Sequence, residues 1–175
     1  MTSNQGLSLQ LNKETLNAAQ TLAEATFAKY EQTKGYYKNT LSGHRIGRLG
    51  EFAVLAYLHQ QGIETIPHFL NPAADRECDI STADNNIEVK TWNDIYWKDL
   101  GRCVAVGQYP SMLKKATVIA WATVTEPESP SPIINLKGWC KVELMGTVEP
   151  KLTGSFQVNN YQIEENQLNE MGSLK

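Results

Sequence analysis

The sequence predicts an α/β domain with a central mixed β-sheet flanked by helices. Three observations carry this. Two helical patterns open the chain. From residue 63 onward the pattern changes to short strand-like segments punctuated by Gly, Pro and Asn. One continuous apolar run, Ala116 to Val124, has the make-up of a strand buried on both faces.

The first helix is predicted over residues 14 to 30, where Leu16, Ala19, Ala23, Phe27 and Tyr30 recur at three- and four-residue steps behind Asn12. Lys29, Lys34, Lys38, Arg45 and Arg48 follow with Tyr36 and Tyr37 among them, either a solvated helix end or a phosphate-tracking patch. A second helix is predicted over residues 46 to 61. It is apolar nearly all round (Ile46, Leu49, Phe52, Val54, Leu55, Leu58), so it is buried on several sides. Glu51 falls between Leu55 and Leu58 on its wheel, where a carboxylate is costly to desolvate. Gly47 and Gly50 suggest close approach by another backbone, and Gly62 closes the helix.

Ile63 to Phe69 is read as a strand interrupted by Pro67. Cys78-Asp79-Ile80 opens a hairpin that turns at residues 83 to 86 and returns through Asn86 to Thr91. Residues 92 to 108 are read as loop with a short strand at Cys103 to Val106. Pro110 suits the start of a short helix ending at Lys115, and Ile133 to Leu144 is read as a returning strand. Extended chain and a short helix near Leu168 complete the domain. The organisation is a helical segment at 1–42, a core at 43–146 and a C-terminal extension at 147–175 packed on it.

With 175 residues, the chain can bury roughly 70% of its unfolded surface without metal or disulfide staples. Its 41% hydrophobic and 20% charged residues exclude collagen-like and disordered classes. No apolar run is long enough to span a membrane, and the first residues lack a secretion pattern, so a cytoplasmic protein without membrane association is expected. A net charge of −3 points away from a histone-like binder and leaves room for local basic patches. Cys78, Cys103 and Cys140 are widely spaced without a CxxC, which reads as buried reduced thiols.

In a strand, alternate side chains share a face, so Glu88 and Lys90 project together while Ile87 and Val89 point to the core. Asp79 reaches the same spot from across the hairpin. Two carboxylates and one ammonium therefore converge beside the sheet, and two rigid oxygen ligands that leave waters in place suit magnesium. Glu51 supplies an outer carboxylate, which accounts for its expensive position.

Gly47-Arg48-Leu49-Gly50-Glu51 on a helix, Cys78-Asp79-Ile80, then Ile87-Glu88-Val89-Lys90, then a helix and a buried strand followed by Gly138-Trp139-Cys140: this order resembles the PD-(D/E)xK nuclease superfamily. The resemblance covers roughly residues 43 to 145, and Glu77-Cys78 stands where the superfamily often has proline. It implies a restriction-endonuclease-like core of αβββαβ order and a magnesium-dependent deoxyribonuclease, in which manganese substitutes, that leaves 5′-phosphate and 3′-hydroxyl ends. By the same resemblance Asp79, Glu88 and the Val89 carbonyl hold the metal, Lys90 is catalytic, and Glu51 acts through water. DNA is the expected partner, contacted by Lys34, Lys38, Arg45, Arg48, Trp92, Lys98 and Arg102. A homodimer is expected, because the apolar stripe of the first helix invites a partner and duplex cutting benefits from two sites. The alternatives are a Holliday-junction resolvase or a non-catalytic DNA-binding or regulatory protein keeping the nuclease fold.

Overall fold

The computed structural model describes residues 7–31, 39–71, 73–74 and 76–175. Lys34, Lys38, Tyr36 and Tyr37 lie outside the described residues. Two sheets are present: six strands in the order β1-β7-β6-β4-β3-β2 and three in the order β5-β9-β8. The strands are β1 (Leu7–Leu9), β2 (Ile66–Pro67), β3 (Ile80–Ser81), β4 (Asn86–Asn93), β5 (Cys103–Ala105), β6 (Val118–Thr125), β7 (Ile133–Lys141), β8 (Lys151–Thr153) and β9 (Val158–Gln162). Among the described residues only β4 and β6 run parallel; the other pairs are antiparallel, so the main sheet is mixed.

Helix α1 (Lys13–Tyr30) starts because the Asn12 side chain accepts from Thr15 N at 2.8 Å, and Glu14 suits the positive end of its dipole. Its Ala19 and Ala23 are fully buried, and Leu16 and Leu22 pack on the core that α2 (Leu41–Gln60) shares. Of the stripe that suggested a partner, Leu16, Ala19 and Ala23 are thus covered within the chain, while Tyr30 stays exposed. Helix α2 begins five residues earlier than the periodicity indicated (Leu41 rather than Ile46), because Thr40 caps Gly43 N at 3.0 Å. Gly62, at φ +72°, takes the left-handed turn that ends it.

Helix α2 covers the sheet face formed by Ile87, Val89, Val118, Ala120, Ala122 and Val124. The opposite face, with Ile119, Trp121 and Cys140, is covered in turn by α4 (Tyr109–Lys115), α5 (Val142–Met145) and the small sheet. Both faces of β6 are therefore buried, as its unbroken apolar sequence requires. Three expectations need correction. The strand from Ile133 stops at Lys141 and the chain turns into α5; Asp79 precedes β3 rather than lying within it; and residues 94 to 100 form a short 3₁₀ turn and then α3 (Trp97–Leu100). Cys78, Cys103 and Cys140 are free and buried. Among the described residues no helix is long and apolar enough to cross a membrane.

Candidate functional site

Strand β3 pairs with β4 over only two residues, Ile80 with Ile87 and Ser81 with Asn86. Beyond that point the strands separate, and the gap is bridged by Asp79. Its backbone N–H donates to Ile87 O at 3.0 Å, and its carboxylate Oδ2 accepts from Val89 N at 2.7 Å. In an extended strand the N–H and C=O of one residue point to the same side. The Val89 carbonyl therefore faces the side on which Asp79 lies, not the β4–β6 ladder.

The register does not continue past Ile80, yet Asp79 lies close enough to Glu88 for the Glu88 charge to act on its carboxyl. On β4, Glu88 is level with Ile119 and Lys90 with Trp121, so both lie on the face opposite α2. Glu88 is only 6% exposed on that face. Lys90 Nζ lies 3.2 Å from Glu88 Oε1. Lys115, the last residue of α4, forms an ion pair with Glu88 Oε2 at 2.7 Å. From the helix layer, Glu51 Oε2 accepts from Arg48 at 2.7 Å, one turn away. Arg48 also donates to Thr26 Oγ1 at 2.9 Å and to the Phe69 carbonyl at 3.4 Å.

Gly50 brings α2 onto β4. A Cβ there would stand 1.8 Å from Thr91 Oγ1, so only glycine lets the helix lie this close to the strand that carries Glu88 and Lys90.

The site's electrostatics follow from this crowding. Burial, then the neighbouring Asp79 charge, push the Glu51 carboxyl up to about 8 despite Arg48. Burial, then Glu88, push Asp79 up to about 7. Burial would raise Glu88 as well, but the Lys90 and Lys115 ammonium groups outweigh it and hold Glu88 below the ordinary glutamate value. Burial would lower Lys90, and Glu88 with Asp79 outweigh that to hold it above the usual lysine value. The three carboxyls are thus close enough to feel one another. Two of them, Glu51 and Asp79, are held well above the ordinary carboxyl range.

A cleft of about 180 Å³ opens onto this cluster. Glu51, Asp79, Arg48 and Lys115 line it, with Leu22, Thr26 and Tyr30 of α1 as one wall.

Glu51, Asp79, Glu88, Val89 and Lys90 are brought together. Of the expected DNA contacts among the described residues, Arg48 joins this group rather than standing as an outer contact. Arg45 is tied to Gln20 at 3.2 Å and to Glu128 at 3.9 Å. Arg102 is 6% exposed; it donates to Ile163 O and Trp97 O, both at 3.0 Å, and lies over the Trp97 ring, so it is an internal strut and not a phosphate contact. Trp92 packs against the second core cluster, and Lys98 is exposed. Lys115 was legible only as a cation suited to a helix C-terminus; nothing local in the sequence points from α4 to Glu88.

As they stand, no three His, Cys, Asp or Glu side chains among the described residues are arranged around one point as a metal-ligand set. The donors themselves fit a hard cation. Asp79, Glu88 and the Val89 carbonyl offer only oxygens, and crowded carboxyls held above their ordinary range lack positive charge. No family model, no curated protein and no solved structure matches this chain.

Proposed function

We propose that the chain is a divalent-cation-dependent nuclease that hydrolyses DNA phosphodiester bonds, built on a restriction-endonuclease-like core. The observation that carries this reading is the convergence of Asp79, bound to Val89 N where β3 leaves β4, with Glu88 and its partner Lys90, near enough that the Glu88 charge acts on Asp79. Asp79, Glu88 and the Val89 carbonyl would hold magnesium, with manganese as a substitute. When bound, such an ion polarises a phosphoryl oxygen and makes nearby water more acidic.

The chain's own groups do the rest. Lys90, fixed by Glu88 two residues before it, presents a permanent positive charge where negative charge builds on the phosphate. Arg48 anchors Glu51 Oε2, which leaves Oε1 to accept a hydrogen bond from the attacking water. In its ionised form Glu51 can receive a proton from that water. The narrow cleft limits the bulk water around the phosphate.

The test is a cleavage assay on linear, circular and four-way-junction DNA with magnesium, manganese or EDTA. Cleavage is expected with either ion and none with EDTA, and preference for the junction would select the resolvase form. Lys90→Ala should lower turnover by at least about a hundredfold, since it removes an aimed charge, with DNA affinity kept. A wild-type protein that binds DNA and cuts none of the three forms would leave the non-catalytic alternative. Asp79→Ala cutting as well as wild type would overturn the site.

A further inference from the structure

We propose that Lys115 is the cation that occupies Glu88 until a divalent ion replaces it, a positioning residue that sets how readily the site loads. The inference rests on the nuclease reading above. Both oxygens of Glu88 are covered by ammonium groups, Oε1 by Lys90 at 3.2 Å and Oε2 by Lys115 at 2.7 Å. Two ammonium groups and a divalent ion cannot share one carboxylate, because like charges a few ångströms apart repel strongly in a dry site. One lysine must yield.

The structure distinguishes the two. Lys90 extends from the middle of β4, held between β6 and the core, and it also feels Asp79 and Glu51. Lys115 comes from the end of a short helix on a flexible four-carbon stem. Its side chain lines the cleft, as that of Lys90 does not, so a place to move into lies beside it. Its departure would free a Glu88 oxygen for a cation.

Calorimetric titration of magnesium and manganese into the nucleic-acid-free protein tests this, comparing wild type, Lys115→Met, Lys115→Arg and Lys114→Met. Lys115→Met keeps the stem and removes the competing charge, so the ion should bind about tenfold more tightly. Lys115→Arg, whose planar fork grips a carboxylate at two points, should bind it more weakly than wild type. Exposed Lys114 makes the same change in net charge next door, and its variant should stay within about twofold of wild type. Denaturation curves of the same samples establish that each variant is folded; should Lys115→Met not fold, the opposite shift in Lys115→Arg decides. Wild-type affinity in Lys115→Met, or an equal gain in Lys114→Met, would overturn the inference. If wild type binds the ion and cleaves DNA while Lys115→Met binds no better, the inference alone falls. If neither protein takes up either ion, the nuclease reading falls with it.

Discussion

Asp79→Asn isolates the strain of the acidic cluster. Asparagine keeps an oxygen in place to accept from Val89 N, so the bridge between the separating strands survives while the charge goes. The folded-state carboxyl is raised from 3.8 to about 7, first by burial and then by Glu88. For a carboxyl raised on folding, the folded protein binds the proton more tightly than the unfolded chain. Its stability is therefore greatest below the unfolded value and falls as pH rises toward the folded one. At 1.36 kcal/mol per unit the shift corresponds to about 4 kcal/mol of lost stability at alkaline pH. The side chain is partly exposed to the cleft, and solvent screening reduces the recoverable part to about 2 kcal/mol. Glu51, raised in part by Asp79, should relax in the same direction. Urea denaturation in EDTA at a series of pH values measures this. Wild type should lose stability between about pH 4 and about pH 8, and the advantage of Asp79→Asn should grow across that window to about 2 kcal/mol. Parallel curves for the two proteins throughout it would refute the electrostatic account.

Gly50→Ala should destabilise by about 2 kcal/mol, since the clash with Thr91 exceeds the usual helix gain of alanine over glycine; a midpoint in urea equal to wild type would contradict the close approach. Arg102→Ala should cost about 2 kcal/mol by leaving the buried Ile163 carbonyl without its donor, while the folded protein keeps wild-type DNA affinity. A fluorescence-polarisation titration showing weakened DNA binding without loss of stability would reverse that assignment.

What the sequence made legible was local. Asn12, Gly62 and the 83–86 turn each mark a boundary through their own backbone chemistry, and period two in 87–90 separates Glu88 and Lys90 from Ile87 and Val89. Glu51 stood out because a carboxylate in an apolar helix needs a cation, and Arg48 is that cation. The remainder is tertiary. The pairing of β5 with β9 joins Cys103 to Gln162 without any turn signal between them. Arg102 looks like a surface base until Trp97 and Ile163 enclose it. Lys115 and Glu88 meet only because α4 ends where β6 begins beside β4. Thr40, one residue before α2, was an available cap that the periodicity of the apolar residues obscured.

The edge pairing of β1 with β7 governs the order in which the molecule can be made. Ser8 bonds Asn135 across 127 residues of chain, and Asn169 then pairs with Trp139 behind β7. Glu51, Asp79, Glu88, Lys90 and Lys115 all precede β6, so on a ribosome they emerge before the strand that flanks β6 and the segment that seals β7. Contacts of such long separation form slowly, since loop closure comes before its reward. Until they form, nothing compels three carboxyls to leave water for one another's company. The acidic cluster is thus shaped late, when most of the apolar burial able to offset its desolvation is in place. A nascent or half-folded chain carries all of these residues without the arrangement that brings them together.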